Sequence, residues 1–234
     1  MEPLDFSFLH EGPYVRWLLM GGLRTIGLFL SSWICGFALA LIIVALRSST
    51  IKVVEKLCEA FVGYHRNVPG LVQIFFWYFG ISQILPNSWQ VAINASNGEL
   101  IFALIALSLN TAAYMSEDLR SGIRSLPPTQ LEAARALGLS YVQAVRRVIL
   151  PQAVRVSVPP LVNQSLSLFK STSLAMVIGV AEATYVTKQI ENETFHTFEA
   201  FAIASIFYLC VSFLIMGLGS FAHQRLDMTA KGAR

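Results

Sequence analysis

A long apolar segment covers residues 22–46, and it restricts the fold more than any other feature of the chain. No Asp, Glu, Lys or Arg lies between Arg24 and Arg47, so the segment suits a helix of about 20 residues that crosses the hydrocarbon of a bilayer. The whole chain is 55% hydrophobic and 13% charged, whereas soluble domains carry charge on about a quarter of their residues. The sequence therefore predicts an all-α membrane protein.

Four further apolar segments bring the expected number of transmembrane helices to about five. The second is the weakest prediction, because Glu59 and Arg66 enter it and because Pro69 must break or bend a helix that contains it. No linker or repeat divides the chain, so we expect a single membrane domain over residues 1–234. The five segments cover residues 22–46, 57–85, 100–120, 152–180 and 199–223.

The distribution of basic residues predicts the orientation of these helices. Cytoplasmic loops of membrane proteins are enriched in Lys and Arg, and five spans place the two termini on opposite sides. We therefore expect a periplasmic N-terminus without a cleaved signal peptide, and a cytoplasmic C-terminus. The expected inner side carries Arg47, Lys52, Lys56, Arg120, Arg124, Arg135, Arg146, Arg147, Arg155, Arg225, Lys231 and Arg234, and the outer side carries only Arg16, Arg24 and Lys188.

A charged hairpin separates the third and fourth apolar segments. Thr129 followed by Glu132 has the pattern of a capping box, which starts a helix after two prolines. Gly138 can adopt the left-handed conformation that ends a helix, and Ser140 followed by Gln143 is a second capping box. The pattern predicts a short helix, a glycine turn and a new helix. By spacing alone it also fits an ordinary solvated loop.

The same hairpin resembles a known signature. Glu132-Ala133-Ala134, Gly138 and Leu150-Pro151 have the spacing of the EAA motif, E-A-A-x3-G-x9-I-x-L-P, with Val148 in the place of Ile. This motif marks the membrane subunits of bacterial ABC importers. Residues 66–73, 113–123 and 170–174 are similar to those of permeases for polar amino acids, although Ser171 stands where that group often has Asp or Asn. The resemblance implies the type I ABC importer permease fold.

The resemblance also implies a set of partners. No G-x-x-x-x-G-K-[ST] phosphate loop occurs in the chain, so ATP and its Mg are expected in separate ATPase subunits, and this chain is expected to be no enzyme and to hold no cofactor. A second permease subunit, identical or related, and a periplasmic amino-acid-binding protein complete the importer expected in the bacterial cytoplasmic membrane. The implied ATPase-coupling residues, in a cytoplasmic loop at about 125–150, are Glu132, Ala133, Ala134, Arg135, Gly138, Leu150 and Pro151.

Polar residues within the apolar segments are candidates for a substrate path. A charge in hydrocarbon is costly, so such residues should face protein or a water-filled path. Asn163, Ser167 and Lys170 share one helix face at spacings of three and four residues. Hydrogen bonds between helices explain the same pattern equally well. The candidates are Arg66, Gln73, Asn110, Tyr114, Glu117, Asn163, Ser167 and Lys170.

Arg66 has three candidate roles in this scheme. It could hold a substrate carboxylate beside a broken helix, neutralise Glu59, or bond to carbonyl groups that Pro69 leaves without a donor. The sequence favours the two structural roles. Together with Lys170, Arg66 makes an acidic amino acid such as glutamate or aspartate a candidate substrate.

The main alternative function is an ion-coupled carrier or channel for a small polar solute. Glu117, Asp118 and Lys170 would then act as relay groups, but the cytoplasmic hairpin would have no explanation. A net charge of +3 without a basic and aromatic groove argues against a nucleic-acid partner. The three cysteines and four histidines are too scattered for a metal site.

Overall fold

The computed structural model describes residues 4–49 and 51–231, and this part of the chain is helical and contains no strand. The predicted all-α class is confirmed. Of the residues used in the orientation prediction, Arg234 and the side chain of Lys231 lie outside the described residues. The helices are α1 (Phe8–Glu11), α2 (Tyr14–Arg47), α3 (Lys52–Asn67), α4 (Gly70–Ile84), α5 (Asn87–Asn94), α6 (Gly98–Arg124), α7 (Pro128–Ala136), α8 (Tyr141–Ile178), α9 (Ala183–Thr194) and α10 (Thr197–Lys231).

Within the described residues, three helices are long and apolar enough to cross a membrane by themselves, namely α2, α6 and α10. Helices α8 and α9 qualify together as a fourth, bent span with an angle of 51° between them. The described residues therefore contain three or four spans by length and composition, and not the five that the sequence predicts. The predicted span over residues 57–85 is divided between α3 and α4. Neither of these helices is long and apolar enough to cross a membrane by itself. The orientation of the helices in the membrane stays a prediction.

The division between α3 and α4 follows from Pro69. Proline removes a backbone donor and holds the residue before it in an extended conformation. Val68 accordingly has φ −94° and ψ 130°. Helix α3 ends at Asn67 and α4 begins at Gly70, so the predicted break at this position is confirmed.

The interior of the bundle lies where α2, α6 and α8 meet, and Leu107 and Phe169 are among its buried side chains. Small residues bring α6 and α8 close together, as is usual between membrane helices. Gly122 of α6 lies against Ala153 and Ser157 of α8, and a methyl group built on Gly122 would overlap the Ser157 hydroxyl. This contact favours glycine at position 122, because a methyl group would displace the Ser157 hydroxyl and lie tightly against the Ala153 carbonyl.

Helix α8 runs without a break from the hairpin to the far end of the bundle. It includes a π-helical turn over Val145–Ile149 and ends in a 3-10 helix over Thr172–Ile178. At 1.5 Å per residue its length is roughly 57 Å. The predicted span over residues 152–180 lies within this helix except for its last two residues, but the helix begins earlier, inside the hairpin.

Candidate functional site

The first helix of the hairpin, α7, has its N-cap at Pro127, two residues earlier than the capping box at Thr129 predicts. It starts at Pro128 after Pro127, and no side chain caps its N-terminus. The predicted capping box of Thr129 and Glu132 is therefore wrong. Proline suits the first helical position, because its φ is already helical and the missing N–H is not needed there. Thr129 consequently lies inside the first turn.

Gly138 ends α7 as predicted, with a φ of +85°. Its N–H donates to the Arg135 carbonyl at 3.0 Å, and the Leu139 N–H donates to the Ala134 carbonyl at 3.3 Å. These two bonds are those of the Schellman motif, which pairs the last carbonyl groups of a helix. The glycine turn is thus built from backbone contacts alone.

The next helix, α8, begins with the predicted capping box, which is confirmed. Ser140 Oγ accepts a hydrogen bond from the Gln143 N–H at 3.3 Å, and Gln143 Oε1 accepts one from the Ser140 N–H at 2.9 Å. Pro151 follows the π-helical turn of α8, a distortion that accommodates a missing donor in a helix. The hairpin therefore continues directly into the long helix.

Most of the predicted coupling residues are exposed on this hairpin. Beside them, Leu137 is 85% and Val142 is 71% exposed, and no sequence pattern singles them out except their positions on either side of Gly138. Clustered apolar side chains on a surface mark contact sites, so the hairpin offers both polar and apolar contacts. Of the predicted set, Ala134 is buried, and the exposed members are Glu132, Ala133, Arg135, Gly138, Leu150 and Pro151.

A cavity of about 390 Å³ lies where the break between α3 and α4 faces α6 and α8. Gln164 and Ser171 of α8 line it but are not among the sequence candidates. Their spacing of three and four residues from Ser167 is the signal that would have found them. Among the described residues in its lining, Arg66 carries the only charge. The sequence candidates in this lining are Arg66, Asn110, Tyr114 and Ser167.

Three of the predicted path residues replace hydrogen bonds that α3 loses at the break. Gln73 Nε2 donates to two carbonyl groups there, at 2.9 and 2.7 Å, and its Oε1 lies 2.6 Å from His65 Nδ1. Asn110 Nδ2 donates to the His65 carbonyl at 2.9 Å, and the Tyr114 hydroxyl donates to the next carbonyl at 3.1 Å. A buried polar group left unpaired costs about 1–3 kcal/mol. Gln73 is buried and lies outside the cavity lining.

Arg66 takes neither of the structural roles that the sequence favours. Glu59 pairs with Arg47 at 3.3 Å, and the carbonyl groups at the break are bonded by the residues just described. The Arg66 guanidinium lies over the Tyr114 ring, 5.5 Å from its centroid, with Nη1 4.0 Å from Glu117 Oε2. Its side chain is 45% exposed and lines the cavity, and its ion pair with Glu117 is long.

Glu117 belongs to an ion-pair network and does not line the cavity. Its carboxylate pairs with Arg47 of α2 and lies 3.9 Å from Arg120 of its own helix. The contact with Arg66 at the end of α3 is the longest of the three. This network joins α2, α3 and α6 at one end of the bundle.

The expected common face of Asn163, Ser167 and Lys170 does not form one path. Ser167 lines the cavity described above, whereas Lys170 lines a separate cleft with Thr184 and Tyr208. Asn163 is exposed and lines neither. Helical spacing places the three residues near each other on α8, but Ser167 and Lys170 face different neighbouring helices and Asn163 is exposed.

The chain is similar in sequence to known transport proteins. The profile of the family described as "Binding-protein-dependent transport system inner membrane component" matches residues 28–228. The probable amino-acid ABC transporter permease protein PatM of Vibrio harveyi is 36% identical over 200 residues, 85% of this chain and 87% of that protein. The nopaline transport system permease protein NocM of Agrobacterium fabrum is 37% identical over 195 residues, 83% and 81% of the two chains. The glutamate/aspartate import permease protein GltJ of Escherichia coli is 31% identical over 218 residues, 89% of each chain.

The fold is also similar to that of solved structures. One is the crystal structure of an amino acid ABC transporter with histidines, with a TM-score of 0.83 and 28% identity over 95% of this chain and 99% of that one. The MetNI methionine ABC transporter in an inward-facing conformation has a TM-score of 0.68 over 92% of this chain and 98% of that one. At 17% identity the second likeness concerns the fold alone.

Proposed function

We propose, from the premise that this chain belongs to the family of inner membrane components of binding-protein-dependent transport systems, that it moves polar amino acids from the periplasm to the cytoplasm by alternating access. Members of this family are permease subunits of ABC transporters, and ATP hydrolysis belongs to a separate subunit. The chain is accordingly a multi-pass membrane protein. Its proposed location is the bacterial cytoplasmic membrane, with the hairpin on the inner side.

The continuity of α8 is the observation that carries the proposal. The same helix begins at the exposed hairpin and supplies Gln164, Ser167 and Ser171 to the wall of the cavity. A force on the hairpin is therefore transmitted along one helix to the wall, past Pro159 and Pro160, each of which removes a backbone donor from the helix interior. We propose that ATPase subunits, which bind ATP with Mg, contact Glu132, Arg135 and the exposed residues around them.

The complete importer in this proposal contains two permease subunits and a periplasmic binding protein. The second permease is this chain again or a related one, because one hairpin engages one ATPase subunit. The binding protein delivers the amino acid to the outer side.

The proposed substrate group is the carboxylate of a polar amino acid. Arg66 is the charged group in the described lining, and the neighbouring Asn110, Tyr114, Gln164 and Ser167 supply polar groups. A guanidinium forms two parallel hydrogen bonds with a carboxylate. Glutamate and aspartate fit this site, and an α-carboxylate makes other polar amino acids compatible with it.

The ion-coupled carrier gains no support from these contacts. Of the three proposed relay groups, Glu117 is paired with Arg47 and Lys170 lines a separate cleft, so the three groups, with Asp118, are not aligned along one path.

Reconstitution in proteoliposomes tests the proposed function. Uptake of a polar amino acid should require the ATPase subunit, ATP and the loaded binding protein together. Transport by the purified permease alone under an ion gradient would instead establish the carrier.

Arg66→Ala should abolish uptake and leave the abundance of the permease in the membrane unchanged, because the side chain faces the cavity and is not a cap of the broken helix. Gln73→Leu is the matched comparison from the same break. It should lower abundance, because the Val68 carbonyl loses its donor and the buried His65 ring loses its partner, at about 1–3 kcal/mol each, while the His65 carbonyl keeps the bond from Asn110. Uptake assays and immunoblots of membranes separate the two effects, and an equal loss of abundance in both variants would assign Arg66 to structure.

A further inference from the structure

Glu182 is a buried carboxylate that the proposed function does not use. It lies between α8 and α9, and its exposed fraction is 0%. In the described part of the chain, no Lys, Arg or His side chain pairs with it. A buried charge without a counter-charge is costly unless hydrogen bonds offset the loss of water, so its position depends on its hydrogen-bond donors.

Backbone and side-chain donors surround the Glu182 carboxylate. Oε1 accepts a hydrogen bond from the Tyr185 N–H at 2.8 Å, and Oε2 accepts one from the Thr184 N–H at 2.9 Å. The Tyr208 hydroxyl of α10 donates to Oε2 at 3.0 Å. Glu182 is therefore the N-cap of α9, where a negative charge also favours the helix dipole.

Thr25 of α2 completes this contact. Its side chain is fully buried, and its Oγ1 accepts a hydrogen bond from the Ala183 N–H at 2.9 Å. The same hydroxyl lies 3.5 Å from Glu182 Oε2 and donates to the Gly21 carbonyl at 3.0 Å. The first three N–H groups of α9 are thus bonded by Thr25 and Glu182, and α2, α9 and α10 meet at one carboxylate.

This junction lies at the end of α8 that is opposite the hairpin. Gly179 follows the last residue of α8 with a φ of +92°, and the chain turns there by 51° into α9. A displacement of the hairpin that α8 transmits therefore reaches the bend before α9. Helix α9 is hydrogen-bonded there to α2 and α10.

We propose that Glu182 is a positioning residue for transport, which holds α9 to α2 and α10 while α8 tilts. Movement of the hairpin then opens the cavity instead of displacing α9. This inference rests on the proposed coupling through α8.

Glu182→Gln removes the charge and one acceptor at almost constant volume. The NH2 group of glutamine cannot accept a hydrogen bond from a backbone N–H of α9, so one of the two capping bonds is lost. The expected result is a fall of about tenfold in uptake per permease present in the membrane, with abundance measured in parallel. Thr187→Val is the matched control, because Thr187 of α9 is also fully buried but bonds to the Ala183 carbonyl of its own helix at 2.7 Å. It should transport normally.

A distance measurement tests the positioning role separately from uptake. Spin labels replace Leu19 of α2 and Gln189 of α9, both exposed, in a permease assembled with an unlabelled second permease and its ATPase. The distance should be the same with and without bound ATP in the wild-type protein and in Thr187→Val. Glu182→Gln should broaden the distribution.

A change of the wild-type distance between the two nucleotide states would overturn the proposal, and so would normal uptake with a narrow distribution in Glu182→Gln. If Glu182→Gln does not accumulate in membranes, Tyr208→Phe takes its place with the same expected outcomes, because it removes one donor and leaves both capping bonds. Wild-type uptake that does not depend on ATP would refute the proposed coupling instead, whatever the labels report.

Discussion

Gly138→Asp abolishes ATP-coupled uptake and leaves the permease inserted in the membrane. No atom lies within 4 Å of a Cβ built at this position, so the fold has room for the side chain. Aspartate also tolerates the left-handed backbone better than most residues do. The effect should therefore arise at the surface of the hairpin, where a charged side chain separates it from the ATPase subunit. Uptake, membrane abundance and co-purification of the ATPase are measured together.

Gly138→Asn provides the control for this variant. Asparagine has nearly the same size and the same tolerance of a positive φ, but it adds no charge to the hairpin. It should keep more ATPase binding and more uptake than Gly138→Asp. Normal uptake by Gly138→Asp would contradict the assignment of the hairpin as the coupling site.

Gly122→Ala prevents stable packing of α6 against α8 and lowers the amount of folded permease. The new methyl group overlaps the Ser157 hydroxyl and lies 3.1 Å from the Ala153 carbonyl oxygen. Overpacking of this kind costs about 1–3 kcal/mol. The thermal midpoint of the purified complex and its abundance in membranes should both decrease.

Two further variants show whether the contact with Ser157 is the cause. Ser157→Ala removes the overlapping hydroxyl, so the double variant should regain part of the lost stability. Gly63→Ala, in α3, meets no atom within 4 Å and should be neutral or slightly stabilising, because alanine favours a helix over glycine by about 1 kcal/mol. Equal losses in Gly63→Ala and Gly122→Ala would refute the packing explanation.

Local chemistry made much of this fold predictable. Residues 22–46 have no charge after Arg24, and Pro69, Gly138 and Ser140 break, turn and restart the chain through their own backbone properties. The predicted start of α7 at Thr129 is wrong because two local signals compete. Pro128 can occupy the first helical position as readily as Thr129 can cap it.

The partners of the buried polar residues could not be predicted in the same way. Asn110 bonds to the His65 carbonyl, 45 residues earlier in the chain, and Thr25 contacts Glu182, 157 residues away. Helical spacing shows which side chains share a face but not which neighbour covers that face. For Glu182 the available signal was an acidic residue after Gly179 at the start of an amphipathic helix, which is the pattern of an N-cap.

Photo-cross-linking from the hairpin shows whether an ATPase subunit binds there. A photoreactive residue replaces Leu137, and a second variant carries it at Phe195, which is 84% exposed beyond the far end of α8. Membranes that contain the complete importer are irradiated, and the adducts are identified by mass. We expect an ATPase adduct from position 137 and none from position 195. An ATPase adduct from position 195 with none from position 137 would refute the coupling role of the hairpin.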